Sequence, residues 1–325
     1  MKFNCSTPKE LMSKTKDLDI KMVDLRFTDM PGTTHHITIP IKFLNEDLFT
    51  DGVGFDGSSV RGFQSIEKSD MTMVPDITTA YIDPFYSEKT IAFYCYIVDP
   101  VTYESYSKDP RFIAKKAEEY LKSSGMGETA YFGPEAEFFI FNDVKYDSGS
   151  NFSFHEVDSG EGAWNTGREE SPNLGHKPRH KEGYFPLPPV DSMHDVRTEM
   201  VITMEDIGIN VEAHHHEVAT AGQCEIDTKY DYLTNAADGA QTYKYVVRNV
   251  AQKHKKIATL TSVKPRARFG EVFLKGNRVS KFEEKPQVNS SWINGGFFVF
   301  NYEIFNFISG DQIMLEREPF LKLTK

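Results

Sequence analysis

Cysteine, tryptophan and long apolar runs are all scarce in this sequence of 325 residues. The three cysteines have no paired spacing, which argues against a disulfide framework and predicts a reducing, cytoplasmic environment. No apolar stretch approaches the length of about 20 residues that a membrane-spanning helix needs, and the first residues show no signal-peptide pattern. We therefore expect neither a membrane protein nor a secreted protein held together by disulfides.

Basic residues are also few relative to acidic ones. The chain carries 37 Lys and Arg against 48 Asp and Glu, and its net charge of −11 argues against nonspecific binding to nucleic acid. The excess of acidic residues lies in the first 260 residues, because residues 261–325 hold ten basic and seven acidic side chains. This asymmetry predicts a change of domain, or of origin, near residue 260.

Local patterns predict a mixture of helices and strands. Helices are expected at residues 8–16, 110–125, 191–208 and 235–256. Asp109 is the expected cap of the second helix and Pro110 its first-turn proline, and the methionines on one face of the third helix are expected to be core residues. Strands are expected at residues 20–28, 33–39 and 131–141. Residues 142–187 are rich in glycine, serine, proline and charge and lack periodicity, which is typical of a long functional or mobile loop.

Residues 212–225 concentrate the potential for chemistry, because this segment contains three histidines and three glutamates. Small residues at positions 219–222 predict a turn centred near Ala221, so that the flanking residues would form a β-hairpin. Alternation along a strand places His215 and Glu217 on one face. The other face would carry Glu212, His214 and His216.

A turn at this position would place Glu217 and Glu225 opposite each other on the same face. Facing carboxylates raise each other's pKa unless a cation lies between them, so the arrangement favours a metal site. The strand expected at residues 131–141 offers further ligands, because Glu135 and Glu137 are two residues apart and project from one face. Four oxygen ligands suit Mg²⁺ or Mn²⁺ better than zinc. Mg²⁺ is usually completed by water and substrate phosphates, which points to a nucleoside triphosphate.

Both motifs also have simpler interpretations, since a Glu-x-Glu pair is often a solvated face and a histidine run is often a polar turn. The residue sequences of the two motifs are, however, more specific than a solvated face or a polar turn requires. The Gly-Pro-Glu-Ala-Glu-Phe-Phe sequence at residues 133–139 and the His-His-His-Glu-Val-Ala-Thr-Ala-Gly-Gln-Cys-Glu-Ile sequence at residues 214–226 resemble the two metal-binding segments of bacterial type I glutamine synthetase. The resemblance includes Phe-Asp-Gly-Ser-Ser at residues 55–59 and Lys-Ser-Asp-Met at residues 68–71. It covers about the first 258 residues.

The resemblance implies an α+β fold in two parts. Residues 1–108 would form a β-grasp-like N-terminal domain, and residues 109–258 would form the first part of a catalytic domain made of an antiparallel sheet with helices. The family's catalytic domain continues well beyond this point, so the domain is expected to be incomplete.

The resemblance also implies a reaction, in which ATP phosphorylates the side chain of glutamate and ammonia displaces phosphate to give glutamine. Mg²⁺ or Mn²⁺ would be the cofactor. Glu137, Glu217 and Glu225 match the ligands of the ion nearer the substrate, and Glu135 matches a ligand of a second ion. Glu212 matches a nucleotide contact.

A polar loop at residues 55–59 has a further role by resemblance, although the residues alone are typical of a simple turn. In the family this loop reaches a neighbouring subunit's active site, where Asp56 would bind and deprotonate ammonium. That role implies a homo-oligomer whose active sites are shared between subunits.

The last part of the chain resembles a different family. Residues 258–270, 282–286 and 292–299 are similar to the later part of sugar-1-phosphate nucleotidyltransferases, most nearly glucose-1-phosphate cytidylyltransferase. Residues 259–325 are therefore expected to be a short α/β fragment, and a crossover near residues 254–259 is one hypothesis for the join. The sugar-phosphate contacts of that family match Glu284, Lys285, Asn294 and Gly295.

Three functional classes remain open at the level of the sequence. The chain could be an ATP-dependent ligase whose remaining parts come from other subunits, or an inactive fragment that still oligomerises. A sugar-1-phosphate nucleotidyltransferase fragment is the third class, and it has the least support because fewer than a quarter of the residues carry it.

Overall fold

The computed structural model describes most of the chain. The described residues are 1–165, 176–259, 271–275, 278–283, 292–293, 302–310, 313–314, 319 and 322. They belong to two compact units, Met1–Leu260 and Thr261–Lys325. Within the described residues, none of the helices is both long enough and apolar enough to cross a membrane.

The first sheet contains six strands from the N-terminal part of the chain. They are β1 (Met22–Thr28), β2 (Thr34–Pro40), β3 (Val53–Asp56), β4 (Asp70–Pro75), β5 (Tyr81–Ile82) and β6 (Thr90–Val98). The order is β2-β1-β6-β4-β3, with β5 also paired to β6. The β1–β6 pair is parallel and the other pairs are antiparallel. Strand β6 is a nearly continuous apolar run and is buried along most of its length, as expected for a central strand.

Helix α1 (Pro8–Thr15) precedes this sheet. Its N-cap Thr7 accepts a hydrogen bond from the backbone N–H of Glu10, and Pro8 occupies the first turn, where its missing N–H costs nothing. Leu11 is fully buried under the sheet's core. The helix and the first two strands lie within two residues of their predicted positions.

A buried arginine cross-links the first sheet. The Arg26 guanidinium donates to Asp24 from Nε at 2.7 Å and also pairs with Asp83, and both carboxylates are inaccessible to solvent. It also lies 4.6 Å from the ring centroid of Tyr245, which belongs to the last helix of this unit. A buried ion is tolerated only where it is paired, so this network connects the first sheet to the elements that follow.

The second half of the unit contains eight further strands. They are β7 (Tyr131–Phe132), β8 (Glu137–Phe141), β9 (Asp143–Ser148), β10 (Ser153–Asp158), β11 (Val211–His216), β12 (Gln223–Thr228), β13 (Asp231–Tyr232) and β14 (Ile257–Thr259). Four of them form an antiparallel sheet in the order β11-β12-β8-β14. Strands β9 and β10 form a separate hairpin, and β7 pairs with β13.

Three helices accompany this sheet: α2 (Pro110–Ser123), α3 (His194–Asp206) and α4 (Leu233–Lys253). The cap of α2 is as predicted, because Asp109 accepts a hydrogen bond from the backbone N–H of Arg111 at 3.0 Å. The α3 methionines are core residues as predicted, since Met200 and Met204 are fully buried.

Helices α3 and α4 cover one face of the four-stranded sheet. Phe138 and Ile140 of β8, and Cys224 and Ile226 of β12, lie in one buried cluster with side chains of these helices. Successive side chains of a strand point to opposite faces. The odd-numbered residues of β8 and β12 therefore project from the face that these helices do not cover, and that face carries Glu137 and Glu225.

Two local predictions were wrong. Residues 131–141 are not one strand, because residues 133–136 separate β7 from β8 and the two strands pair with different partners. Pro134 cannot donate a hydrogen bond to a neighbouring strand, which favours a break there. Residues 142–187 are not wholly a loop, because β9 and β10 form a regular hairpin within them. Alternation of apolar and polar residues at positions 143–148 was the available signal for β9.

In the second unit, β15 (Glu271–Lys275), β16 (Arg278–Glu283) and β17 (Trp292–Ile293) form an antiparallel sheet in the order β16-β15-β17. A 3₁₀ helix follows at Tyr302–Phe307. The four residues matched to sugar-phosphate contacts lie outside the described residues. They are Glu284, Lys285, Asn294 and Gly295.

Candidate metal centre

The hairpin of β11 and β12 has a register that is shifted by two residues from the predicted one. His215 pairs with Glu225, and the backbone N–H of Glu217 donates to the carbonyl of Gln223 at 2.9 Å. The turn is therefore centred on Thr220, one residue before the expected centre. Glu217 and Glu225 share a face as expected, but the prediction that they lie directly opposite each other was wrong.

Three potential ligands converge on this face. His215 Nδ1 lies 3.7 Å from a Glu217 carboxylate oxygen, and His215 Nε2 lies 3.7 Å from Glu225 Oε2. One ligand atom of each residue lies within 4.8 Å of the others, which is a spacing that a single cation could bridge. Glu217 and Glu225 are 6% and 8% exposed, so their charges are poorly solvated. His215 was placed on the correct face by alternation but was not predicted as a ligand.

Strand β8 brings a third carboxylate to the same face. Glu137 pairs with Glu225 in the β8–β12 register, and its Oε2 accepts a hydrogen bond from the Gln223 side chain. Glu135 lies in the segment between β7 and β8, outside the strand that was predicted to hold it, and it is exposed. Strand β8 therefore accounts for the position of Glu137 but not for that of Glu135.

The electrostatics show that these carboxylates act on one another. The pKa of Glu225 is raised to about 7, because the side chain is buried and because several neighbouring carboxylates repel its charge. In order of their effect these neighbours are Asp227, Glu137, Glu217 and Glu135. All four predicted metal ligands therefore belong to one electrostatic cluster.

Asp227 is a member of the cluster that sequence analysis missed. It lies two residues after Glu225 on the same face of β12, and its carboxylate is 3.4 Å from His215 Nε2. The period of two along the strand was the signal that could have found it.

Two aromatic side chains border the cluster. The ring of Phe185 lies 4.5 Å from that of His215 in an edge-to-face arrangement, and Tyr184 stacks on Phe185 at 3.9 Å. Phe185 has φ of 56°, a left-handed conformation that is uncommon for residues other than glycine and that is concentrated at functional sites. These rings would limit the access of water to one side of the histidine.

The structure does not place the other two predicted residues in this cluster. Glu212 is exposed beside a register irregularity between Val211 and Ala213. Asp56 ends β3, and it accepts hydrogen bonds from Ser58 and Ser59, which lower its pKa. Hydrogen bonds within the loop, from these two serines to Asp56, therefore stabilise its conformation.

The donor set fits a divalent cation. Carboxylate oxygens outnumber nitrogens, which suits Mg²⁺ or Mn²⁺, and the imidazole of His215 is a ligand type that transition metals accept. Burial and the charges of the neighbouring carboxylates raise the pKa of Glu225. The face of β8 and β12 is thus a site at which a bound cation would relieve repulsion.

Comparison with known protein families supports the predicted fold. Residues 107–269 match the family model of the glutamine synthetase catalytic domain, and residues 19–100 match that of the glutamine synthetase β-grasp domain. Residues 221–322 match a nucleotidyl transferase model, which overlaps the first match over residues 221–269. The predicted α+β fold with a β-grasp domain and a glutamine synthetase catalytic domain is confirmed.

Individual relatives agree with the family models. The chain is 54% identical over 251 residues to glutamine synthetase of Frankia alni, and 55% identical over 253 residues to that of Aquifex aeolicus. These matches cover 77% and 78% of this chain but 53% of each relative. The cryo-EM structure of Plasmodium falciparum glutamine synthetase is similar with a TM-score of 0.72 and 26% identity, over 84% of this chain and 52% of that one.

The chain therefore spans about half the length of the curated relatives that it matches. The match to the catalytic-domain model nevertheless covers half of this chain and includes the whole carboxylate cluster. The chain belongs to the glutamine synthetase family.

Proposed function

We propose that this chain provides the divalent-metal centre for the ATP-dependent ligation of ammonia to glutamate. The observation that carries the proposal is the convergence of His215, Glu217 and Glu225 on the face of the sheet that α3 and α4 leave uncovered. Glu137 completes this set. Glu135 also acts on Glu225 through its charge, and we assign it to a second ion because it matches the family's ligand of that ion.

The chemistry requires activation of a poor acyl donor. The side-chain carboxylate of glutamate does not react with ammonia, whereas a γ-glutamyl phosphate offers a good leaving group. A bound Mg²⁺ or Mn²⁺ would neutralise the triphosphate and stabilise the phosphoryl group in transfer. The carboxylates of this chain would hold the cation, and Glu225 must first give up the proton that burial and its neighbours favour.

Asp56 supports a specific step in this scheme. Hydrogen bonds from Ser58 and Ser59 lower its pKa, so it is ionised at neutral pH and attracts an ammonium cation. The same stabilisation makes it a weak base. We therefore assign Asp56 to binding ammonium at a neighbouring subunit's site and to accepting its proton, because the nitrogen has no lone pair with which to attack the acyl phosphate until that proton has left. This role requires a homo-oligomer.

The proposal concerns one part of the active site. Because the chain covers about half the length of its relatives, the groups that hold glutamate, phosphate and the nucleotide base would come in part from other subunits of the oligomer. Glu212 is the one nucleotide contact assigned within this chain, and its exposure at the start of β11 leaves it accessible to ATP.

The direct test is ATP-dependent formation of γ-glutamyl hydroxamate by the purified chain, with Mg²⁺ and separately with Mn²⁺. Wild-type chain is expected to form product, and Glu217→Gln is expected to lose it by about 100-fold or more, as when a charge-stabilising group is removed. Glu199→Gln is the matched control, because Glu199 pairs with Lys253 and His254 on the α3–α4 surface. Absence of product from wild-type chain with both metals would contradict the proposed activity.

A further inference from the structure

A second, fully buried glutamate lies behind the metal-site hairpin. Glu161 is 0% exposed, and both of its carboxylate oxygens accept hydrogen bonds. Oε1 accepts from the backbone N–H of Ser192 at 2.7 Å and from its hydroxyl at 2.8 Å. Oε2 accepts from the backbone N–H of Gly222 at 2.7 Å and lies 3.2 Å from Nε2 of His216. One side chain thus joins the segment before α3 to the turn of the hairpin.

His216 extends this connection to the residue that carries a metal-site carboxylate. Its Nδ1 lies 2.7 Å from the carbonyl oxygen of Gly183 and 2.8 Å from that of Glu217. Both partners are acceptors, so Nδ1 is the donor. The ring is 1% exposed, and it lies opposite Cys224, on the face of the hairpin that carries the helices. His216 therefore fixes the backbone of Glu217 while its own side chain stays away from the cation face.

The turn has little freedom to take another position. Gly222 has φ of 76°, and a Cβ there would lie 2.4 Å from the carbonyl oxygen of Ile140. A Cβ on Gly183 would lie 2.7 Å from the carbonyl oxygen of Glu217. The backbone of residues 181–185 also donates to the carbonyls of Ala219, Val218 and His216. The backbones are thus in close contact around the turn, and the Glu161 carboxylate binds the turn itself through the N–H of Gly222.

We propose that Glu161 is a positioning residue for the metal centre, which holds residues 217–222 from the helix-covered face so that the Glu217 carboxylate lies beside His215 and Glu225. The inference rests on the proposed function, because it concerns the same cation site. Glu161 does not touch the cation, and it acts through Gly222 and His216. Partners behind the ligands of a metal site commonly change metal affinity by 10-fold to 100-fold.

Glu161→Gln is the variant that tests this role. The substitution preserves shape, but the amide NH₂ replaces an acceptor in a pocket whose partners at both positions are donors. The turn is then expected to loosen. In the metal-free chain, backbone amides of residues 217–223 should exchange with deuterium at least about 10-fold faster. The dissociation constant for Mn²⁺ should rise by about 10-fold to 100-fold.

Asp83→Asn is the matched control, because Asp83 is also a fully buried carboxylate paired with a buried cation, Arg26 of the first sheet. It should lower the melting temperature without changing either the exchange of residues 217–223 or the Mn²⁺ affinity. Ser192→Ala is a milder variant that removes one donor to Glu161 and serves if Glu161→Gln does not fold. It should shift both quantities in the same direction by a few-fold.

The outcomes separate this inference from the proposed function. Unchanged exchange and Mn²⁺ affinity in Glu161→Gln would overturn the positioning role, and so would equal changes in Asp83→Asn. If wild-type chain shows no saturable binding of Mn²⁺, the proposed metal centre fails. The exchange of residues 217–223 then decides alone whether Glu161 holds the turn, with faster exchange confined to these residues supporting it.

Discussion

Replacing Glu225 by glutamine should stabilise the metal-free chain and remove its response to metal. The pKa of Glu225 is raised from 4.5 to about 7, first by burial and then by the charges of Asp227, Glu137, Glu217 and Glu135. The folded chain therefore binds this proton more tightly than the unfolded chain. It follows that this group lowers the free energy of unfolding as the pH rises from about 4.5 to about 7, and that the penalty is fully present above pH 7.

The size of the penalty follows from the two pKa values. Their difference corresponds to roughly 3 kcal/mol at 1.36 kcal/mol per pKa unit. Water at the open face screens part of the repulsion, so we expect ionised Glu225 to lower the free energy of unfolding by about 1–2 kcal/mol. Glutamine carries no charge and avoids this cost. For a unit of this size the melting temperature of Glu225→Gln should lie about 3–6 °C above wild type near pH 8, and the gain should vanish near pH 4.5.

Bound metal should make wild type more stable than Glu225→Gln, which reverses the order expected without metal. A cation at 100 times its dissociation constant stabilises the folded state by about 2.7 kcal/mol, and the variant should gain far less. Thermal unfolding followed by circular dichroism, with and without Mn²⁺ and at both pH values, measures all of these quantities. The reasoning is refuted if the metal-free variant is less stable than wild type near pH 8, or if Mn²⁺ stabilises both proteins equally.

Three further predictions concern the framework of the site. Gly222→Ala should lower the free energy of unfolding by about 2 kcal/mol or more and weaken Mn²⁺ binding, because the new Cβ would clash with the backbone of Ile140. Gly32, with φ of 87°, has open space around it, so Gly32→Ala should lower the free energy of unfolding by only about 1 kcal/mol. Arg26→Met should lower the free energy of unfolding in urea by about 3–5 kcal/mol, because it removes the guanidinium that pairs with two buried carboxylates, while Mn²⁺ affinity stays unchanged. Asp109→Ala should cost about 1–3 kcal/mol in the same assay, because α2 loses its cap; a cost below about 0.5 kcal/mol would contradict this role.

Sequence periodicity was sufficient to predict which residues are buried where a segment has one buried face. The apolar stripe of α3 identified Met200 and Met204 as core residues, and a cap with a first-turn proline located the start of α2. The shared face of Glu217 and Glu225 followed from alternation alone. These features depend on neighbours along the chain, which the sequence displays directly.

Register and long-range pairing could not be predicted in the same way. The centre of the hairpin turn at Thr220 depends on contacts of residues 217–222 with segments far away in sequence, including the hydrogen bond from Gly222 to Glu161. A register shift of two residues places His215, not Glu217, opposite Glu225. The buried Glu161–His216 pair was missed for the same reason, since it joins residues 55 positions apart.

The most direct test of the metal centre is an equilibrium titration of the metal-free chain with Mn²⁺, followed by electron paramagnetic resonance of the free ion. The account predicts saturable binding that weakens by about 10-fold for each pH unit below pH 7, because Glu225 must lose its proton. Glu217→Gln should weaken the binding by at least about 10-fold, and Glu199→Gln should not change it. Binding that is absent, or that is equal in wild type and Glu217→Gln, would contradict the assignment of these carboxylates to a metal centre.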